Sequence, residues 1–358
     1  MRHALAHALA HALALALFAA AGCSRPAAEP ASPAPALEAQ HSGTTALLQA
    51  ISPVSEQVVW ASGHRGTWVR TTDGGRSWQS GRVPGADTLQ FRDVHAVDAE
   101  RAYLLSAGTG ALSRIYKTTD GGATWALQHV NAEPEGFYDC LAFWDEDRGV
   151  VYGDQVGGRL TVLLTENGGR TWTQVPPERL PAALPNEGGF AASGGCVATG
   201  SGGRGWISTG NTSAARVLRT TDGGRSWTAA ATPLVAGEGA GATAVMFRDD
   251  EHGAVVGGDI GTRDRRSDNV ATTSDGGRTW SLGGRTRLAG AAYGGSYVPG
   301  LPRPTLVVVG PGGADLSRDE GASWVALDTL AYWSAAFVSP RAGWLVGPNG
   351  RITRVRLR

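Results

Sequence analysis

An eight-residue segment recurs six times along the 358 residues: TTDGGRSW from Thr71, TTDGGATW from Thr118, TENGGRTW from Thr165, TTDGGRSW from Thr220, TSDGGRTW from Thr273 and SRDEGASW from Ser317. The closing tryptophans, Trp78, Trp125, Trp172, Trp227, Trp280 and Trp324, stand 47, 47, 55, 53 and 44 residues apart. That period suits one four-stranded propeller blade, a unit that cannot bury its faces alone and must stack on neighbours around a ring. The repeat confines the chain to an all-β ring before any other residue is considered.

Each part of the segment has a physical task. The Gly-Gly pair takes positive φ without a Cβ clash, and the side chain before it, Asp73, Asp120, Asn167, Asp222, Asp275 or Asp319, can accept the N–H groups of its own turn. The indole that follows is large enough to fill the gap between neighbouring blades. Two copies depart from the pattern, with Asn167 for Asp in the third and Glu320 for Gly in the sixth, and these turns are expected to be the least regular.

A second pattern runs in register with the first. LAFWDEDRGVVYGD from Leu141, AVMFRDDEHGAVVGGD from Ala244 and AAFVSPRAGWLVGPNG from Ala335 each read as two short strands joined by a polar hairpin. Weaker copies begin at Leu47, Val94, Phe190 and Tyr293, which makes seven strand pairs against six boxes. The last unit ends at Arg358 with no box and no fourth strand, and a segment near residues 37–42 precedes the first complete unit. The expected fold is a seven-bladed β-propeller whose ring is closed by that N-terminal strand, leaving no open sheet edge. Six or eight blades follow if one weak copy is misassigned.

Residues 1–22 hold an Ala/Leu run with one arginine and read as an export signal. Residues 23–36 form a Pro/Ala-rich tether, and 37–358 are assigned to the propeller. Cys23 after Gly22 resembles a bacterial lipoprotein cleavage box, which implies a lipid anchor on the periplasmic side of the outer membrane. The remaining cysteines, Cys140 and Cys196, lie in apolar runs of adjacent blades; a disulfide is permitted, and two buried thiols are expected. Equal numbers of basic and acidic residues, 32 each, remove the bulk electrostatic argument for nucleic acid. No Cys/His spacing suggests a metal, and no cofactor motif is present.

Chemistry, if any, belongs where the innermost strands converge on the channel. The candidates are Arg92, Tyr138, Asp139, Asp154, Glu187 and Asp259, with Asp93 beside Arg92. Asp139, Asp154, Glu187 and Asp259 are the four that an enzyme could use as a carboxylate pair. The competing reading is that they satisfy backbone N–H groups at blade ends. Residues 258–273 read as an ion-paired solvated loop, and 177–189 as a rigid surface excursion.

The box resembles the Asp-box, or BNR repeat, of sialidases and related propellers, where it lies on the rim away from the active centre and is mainly structural. A sialidase would also bear a Phe-Arg-Ile-Pro segment, and the nearest string, Phe91-Arg92-Asp93-Val94, keeps two of its four residues. The combined pattern of strand pair and box, from about Leu47 to Arg358, is similar to the photosystem II stability and assembly factor family. That resemblance implies a non-catalytic scaffold binding a protein partner, here an envelope protein. The alternative is a carbohydrate-active enzyme of the glycoside hydrolase type, or a glycan-binding module with Trp144, Tyr152 or Trp333 exposed at the channel mouth.

Overall fold

The computed structural model describes residues 34–357. The export signal, Cys23 and most of the tether therefore lie outside the described residues. Within them the chain forms seven four-stranded antiparallel sheets. Blade 1 runs from the innermost strand Leu48–Pro53 through Val59–Gly63 and Thr67–Thr71 to the outer strand Gln79–Arg82. Blades 2 to 6 repeat this order over residues 91–130, 138–174, 197–231, 240–282 and 294–328. Blade 7 takes three strands from residues 334–356 and its outer strand, Ala36–His41, from the other end of the chain, with Ala36 opposite Arg356 and His41 opposite Arg351. The ring is closed as its repeat count demands.

The six boxes join third to outer strands in blades 1 to 6. In blade 1 the Thr71 hydroxyl donates to Asp73 Oδ1 at 2.8 Å and accepts the Gly75 N–H at 2.9 Å, while Asp73 accepts the Ser77 N–H and hydroxyl at 3.0 and 2.6 Å. The third box keeps this geometry: Asn167 Oδ1 accepts the Thr171 N–H at 3.0 Å, and its amide donates to the Thr171 hydroxyl. In the sixth, Glu320 adopts φ 58° where the other copies have glycine, and Asp319 keeps its bonds to Ser323. The irregularity expected of these two turns is absent, because Asn retains one acceptor oxygen and Glu320 tolerates the left-handed turn.

The box indoles sit between blades. Trp125 of blade 2 packs 6.1 and 6.0 Å from Trp60 and Trp68 of blade 1. Phe247 of blade 5 stacks at 3.6 Å on Trp206 of blade 4, with Trp280 edge-on at 6.1 Å. Most of the largest fully buried rings, Trp60, Tyr103, Tyr152, Trp206 and Trp344, belong however to the second strands. In four boxes the second glycine makes room for a ring of the preceding blade, Gly122 for Trp68, Gly169 for Tyr103, Gly224 for Trp144 and Gly277 for Trp206. Gly122 has φ +89°, and a Cβ there would lie 2.6 Å from a Trp68 ring carbon. Gly122→Ala adds backbone strain to overpacking and is expected to cost about 2 to 3 kcal/mol, read as a lowered urea midpoint, with Ala123→Gly in the same turn as a mild control.

One weak strand pair is corrected. Of the segment from Phe190, only Val197–Thr199 is strand, and its partner is Gly205–Thr209. Residues 190–195, all Gly, Ala or Ser after Phe190, instead cross the centre of the ring. Ala191 O accepts from Gln49 of blade 1, and Gly195 O accepts from Val245 of blade 5. Gly194 abuts Asp93 of blade 2, and Ser193 abuts Gly294 of blade 6. Side chains this small let a backbone pass where seven inner strands leave little space. The end of 177–189 is likewise drawn inward, since Glu187 is fully buried. Cys140 and Cys196, expected as thiols, are joined in a disulfide with Cα atoms 5.8 Å apart. It ties the inner strand of blade 3 to the residue where the crossing segment enters blade 4.

Candidate functional site

In an antiparallel blade, the start of the first strand and the end of the second share one end of the ring, and the boxes lie at the other. The candidates from the sequence accordingly fall at the end opposite the boxes. Bulges turn several of them. The pairing of inner with second strand skips Gln49, Arg92, Asp139 and Thr243 in blades 1, 2, 3 and 5. A skipped residue leaves the sheet's alternation, and a bulge re-aims its side chain. Gln49 donates to Ala191 O at 2.8 Å and meets His64 Nε2 at 2.8 Å. Thr243 donates to Ala292 O at 2.6 Å. Arg92 donates to Gln90 Oε1 at 2.6 and 3.0 Å, and its half-buried guanidinium acts on Asp139.

Asp139 is 1 % exposed, lies against Gly189, feels the Asp154 charge, and has its Oδ2 buried without a hydrogen-bond partner among the described residues. Burial, followed by the neighbouring Asp154 charge, raises the Asp139 carboxyl well above its ordinary range. Burial also pushes Asp154 up to about 6, while its Oδ1 accepts the Gly189 N–H at 3.1 Å. Each of the two carboxyls thus keeps its proton to higher pH than a solvent-exposed aspartate. Asp93 is equally sealed; it accepts the N–H groups of Val94 and Leu141 at 2.7 Å each, and burial pushes it up to about 8.

Glu187 is used differently. Its fully buried carboxylate accepts from Arg216 Nε at 2.8 Å and from Arg216 Nη2, from the Thr209 hydroxyl at 2.7 Å and from the Leu184 N–H at 2.9 Å. Asp259 stands apart, capping its own turn through the Thr262 hydroxyl at 2.5 Å and the Gly261 N–H at 2.8 Å, which hold its carboxyl below the ordinary range. Tyr138 bonds His129 at 3.0 Å, and burial pushes it up to about 12. The structure therefore gathers Arg92, Asp139 and Asp154 beside Glu187, and places Tyr138 and Asp259 elsewhere.

Asp154 and Glu187 also border an open cavity of about 640 Å³ at the channel mouth, with Glu135, Asn186, Asn211 and Glu238 on its walls. Of the aromatic candidates, Tyr152 is fully buried and Trp144 donates its indole N–H to Arg204 O between blades. Trp333 is half-buried at the mouth, edge-on to Tyr293 at 5.5 Å. Among the described residues no group of three or more His, Cys, Asp or Glu could hold a metal ion.

Sequence reasoning missed Gln49, Arg216 and the crossing segment. Gln49 had a signal, since it occupies the same column of the repeat as Arg92, Asp139 and Thr243. Arg216 had none, because nothing local links it to a glutamate 29 residues earlier.

No family model matches the chain, and no curated protein matches it. Among solved structures it is similar to "YCF48 bound to D1 peptide", at 16% identity and TM-score 0.61 over 90% of this chain and 97% of that one. "YCF48 from Cyanidioschyzon merolae" aligns at 16% identity and TM-score 0.63 over 90% and 99%. The WD40 beta propeller domain of Doa1 aligns at 14% identity and TM-score 0.58 over 90% and 98%. At these identities the likeness is one of fold: the chain is a seven-bladed β-propeller.

Proposed function

We propose that this propeller is a non-catalytic scaffold that binds a peptide segment of a protein partner at its channel-mouth end, and that it is exported and lipid-anchored through Cys23. One observation carries the reading: of the four carboxyls that sequence offers for hydrolysis, no two are both free of partners at one open cavity. Asp139 is sealed under the crossing segment, Glu187 is spent on Arg216, and Asp259 is spent on its own turn. Of these four candidates only Asp154 remains at the mouth without a cationic partner, and a glycosidase needs two carboxyls spanning one bond. The resemblance to the photosystem II assembly factor family, and a solved YCF48 propeller with a bound D1 peptide, support a peptide as the ligand. The chain enters the ring at Ala36, whose partner Arg356 lies at the box end of blade 7, so entry and mouth are at opposite ends.

Photo-crosslinking in intact cells tests this. A crosslinker at Asn211, on the mouth, is expected to trap one discrete protein band, whereas the same group at Arg278, in a box, traps none. Equal bands from both positions, or glycoside turnover by the wild type, would sink the reading. Cys23→Ser is expected to move the protein from the membrane fraction to the soluble one.

A further inference from the structure

The crossing segment has a seat of unusual composition. A Cβ at Gly188 would lie 2.0 Å from Asp154 Oδ1, one at Gly189 would lie 2.6 Å from Asp139 Cγ, and one at Gly194 would lie 2.2 Å from Asp93 Oδ1. Three glycines of one segment thus rest on three carboxyls from blades 2 and 3. Below the segment, toward the box end, the channel widens into a cavity of about 700 Å³ walled by inner-strand residues such as Ala142, Val245, Met246, Ala336 and Phe337. Above it lies the 640 Å³ mouth. The segment is held at its entry by the reciprocal Gly188–Gly210 backbone pair, and beyond it by Gly189 N–H to Asp154, Gln49 to Ala191 O, Val245 N–H to Gly195 O, and the disulfide at Cys196. Its side chains beyond Phe190 have no bulk to anchor it.

We propose that residues 188–195 are a pH-operated plug: seated while the carboxyls beneath retain protons, and lifted when they ionise, which joins the mouth to the cavity below. The charge count supports this. Facing the seat are Arg92 from blade 2, bonded to Gln90, and the Glu187–Arg216 pair, which neutralises itself. The remaining titratable neighbours are the buried phenol of Tyr152 and His64, which is bonded to Gln49 and whose charged form is disfavoured by burial and by Arg92. One cation therefore faces three carboxyls. Fully ionised, they would set like charges together in a dry site against an uncharged backbone, and lifting the plug admits water.

The direction follows from linkage. Burial raises Asp93, Asp139 and Asp154 when the plug is seated, so seating is fully supported below the carboxyls' solvent-exposed range. The support is lost as pH rises through about 6 for Asp154 and about 8 for Asp93.

Hydrogen–deuterium exchange of the full chain at pH 5 and pH 8, corrected for intrinsic exchange chemistry, tests the proposal. Protection of residues 188–196 is expected to fall at least about tenfold at pH 8, while Val59–Gly63 holds its protection. Asp139→Asn with Asp154→Asn removes most of that pH dependence. Gly194→Ala, which drives a methyl into Asp93, exposes the segment already at pH 5 and serves if the double variant does not fold. A pH-independent plug, a loss shared equally with Val59–Gly63, or a Gly194→Ala protein protected like the wild type would overturn it.

Discussion

Arg216→Ala is expected to destabilise the propeller by about 3 to 5 kcal/mol, the usual cost of stranding one member of a buried ion pair. Arg216 supplies two of the four hydrogen bonds that reach Glu187. The Thr209 hydroxyl and the Leu184 N–H that remain cannot balance a full charge at a site with no exposure. Arg216→Met with Glu187→Leu removes both charges and should recover most of the loss, since an apolar pair of similar volume can replace a buried ion pair. Urea midpoints of the three proteins decide the matter. A deficit below about 1 kcal/mol would show that Glu187 is hydrated and the pair is ordinary surface electrostatics.

That pair also marks where sequence reasoning stops. The blades were legible because their signals are local and repeated. The box places its turn within eight residues, the strand pairs alternate over a dozen, and the missing outer strand of blade 7 follows from counting. The site was legible only in outline. Asp139 and Asp154 were singled out by position, but their meeting depends on a bulge that skips Asp139 and on a crossing segment 50 residues away. Asp154 and Asp259 close equivalent second strands and read alike in sequence. The structure separates them because Asp154 receives the Gly189 N–H and Asp259 has Thr262 within its own turn. Residues 190–200 read in sequence as a weak strand pair. A glycine-rich run that fills a channel is chemically indistinguishable from a poor strand until the ring exists around it.

Replacing both Cys140 and Cys196 by serine should lower stability by about 4 kcal/mol, the chain-entropy value for releasing a closed loop of this size. The separation is 56 residues, and the bond joins the inner strand of blade 3 to the residue just before that of blade 4, so its loss also loosens an interface. The damage should be uneven. The crossing segment loses its covalent anchor at Cys196, whereas the remaining blades keep their aromatic interfaces and their closure by Ala36–His41. Exchange protection should therefore drop first in residues 188–199 and last in the strands of blades 1, 6 and 7. Reducing the wild type with a thiol under mild denaturant should reproduce the same order, and in native buffer reduction should be slow, because both sulfurs are fully buried. A serine pair as stable as wild type would mean that interface packing between blades 3 and 4 suffices without the bond. Uniform loss around the ring would mean that the seven blades open as one cooperative unit, which the independence of their interfaces argues against.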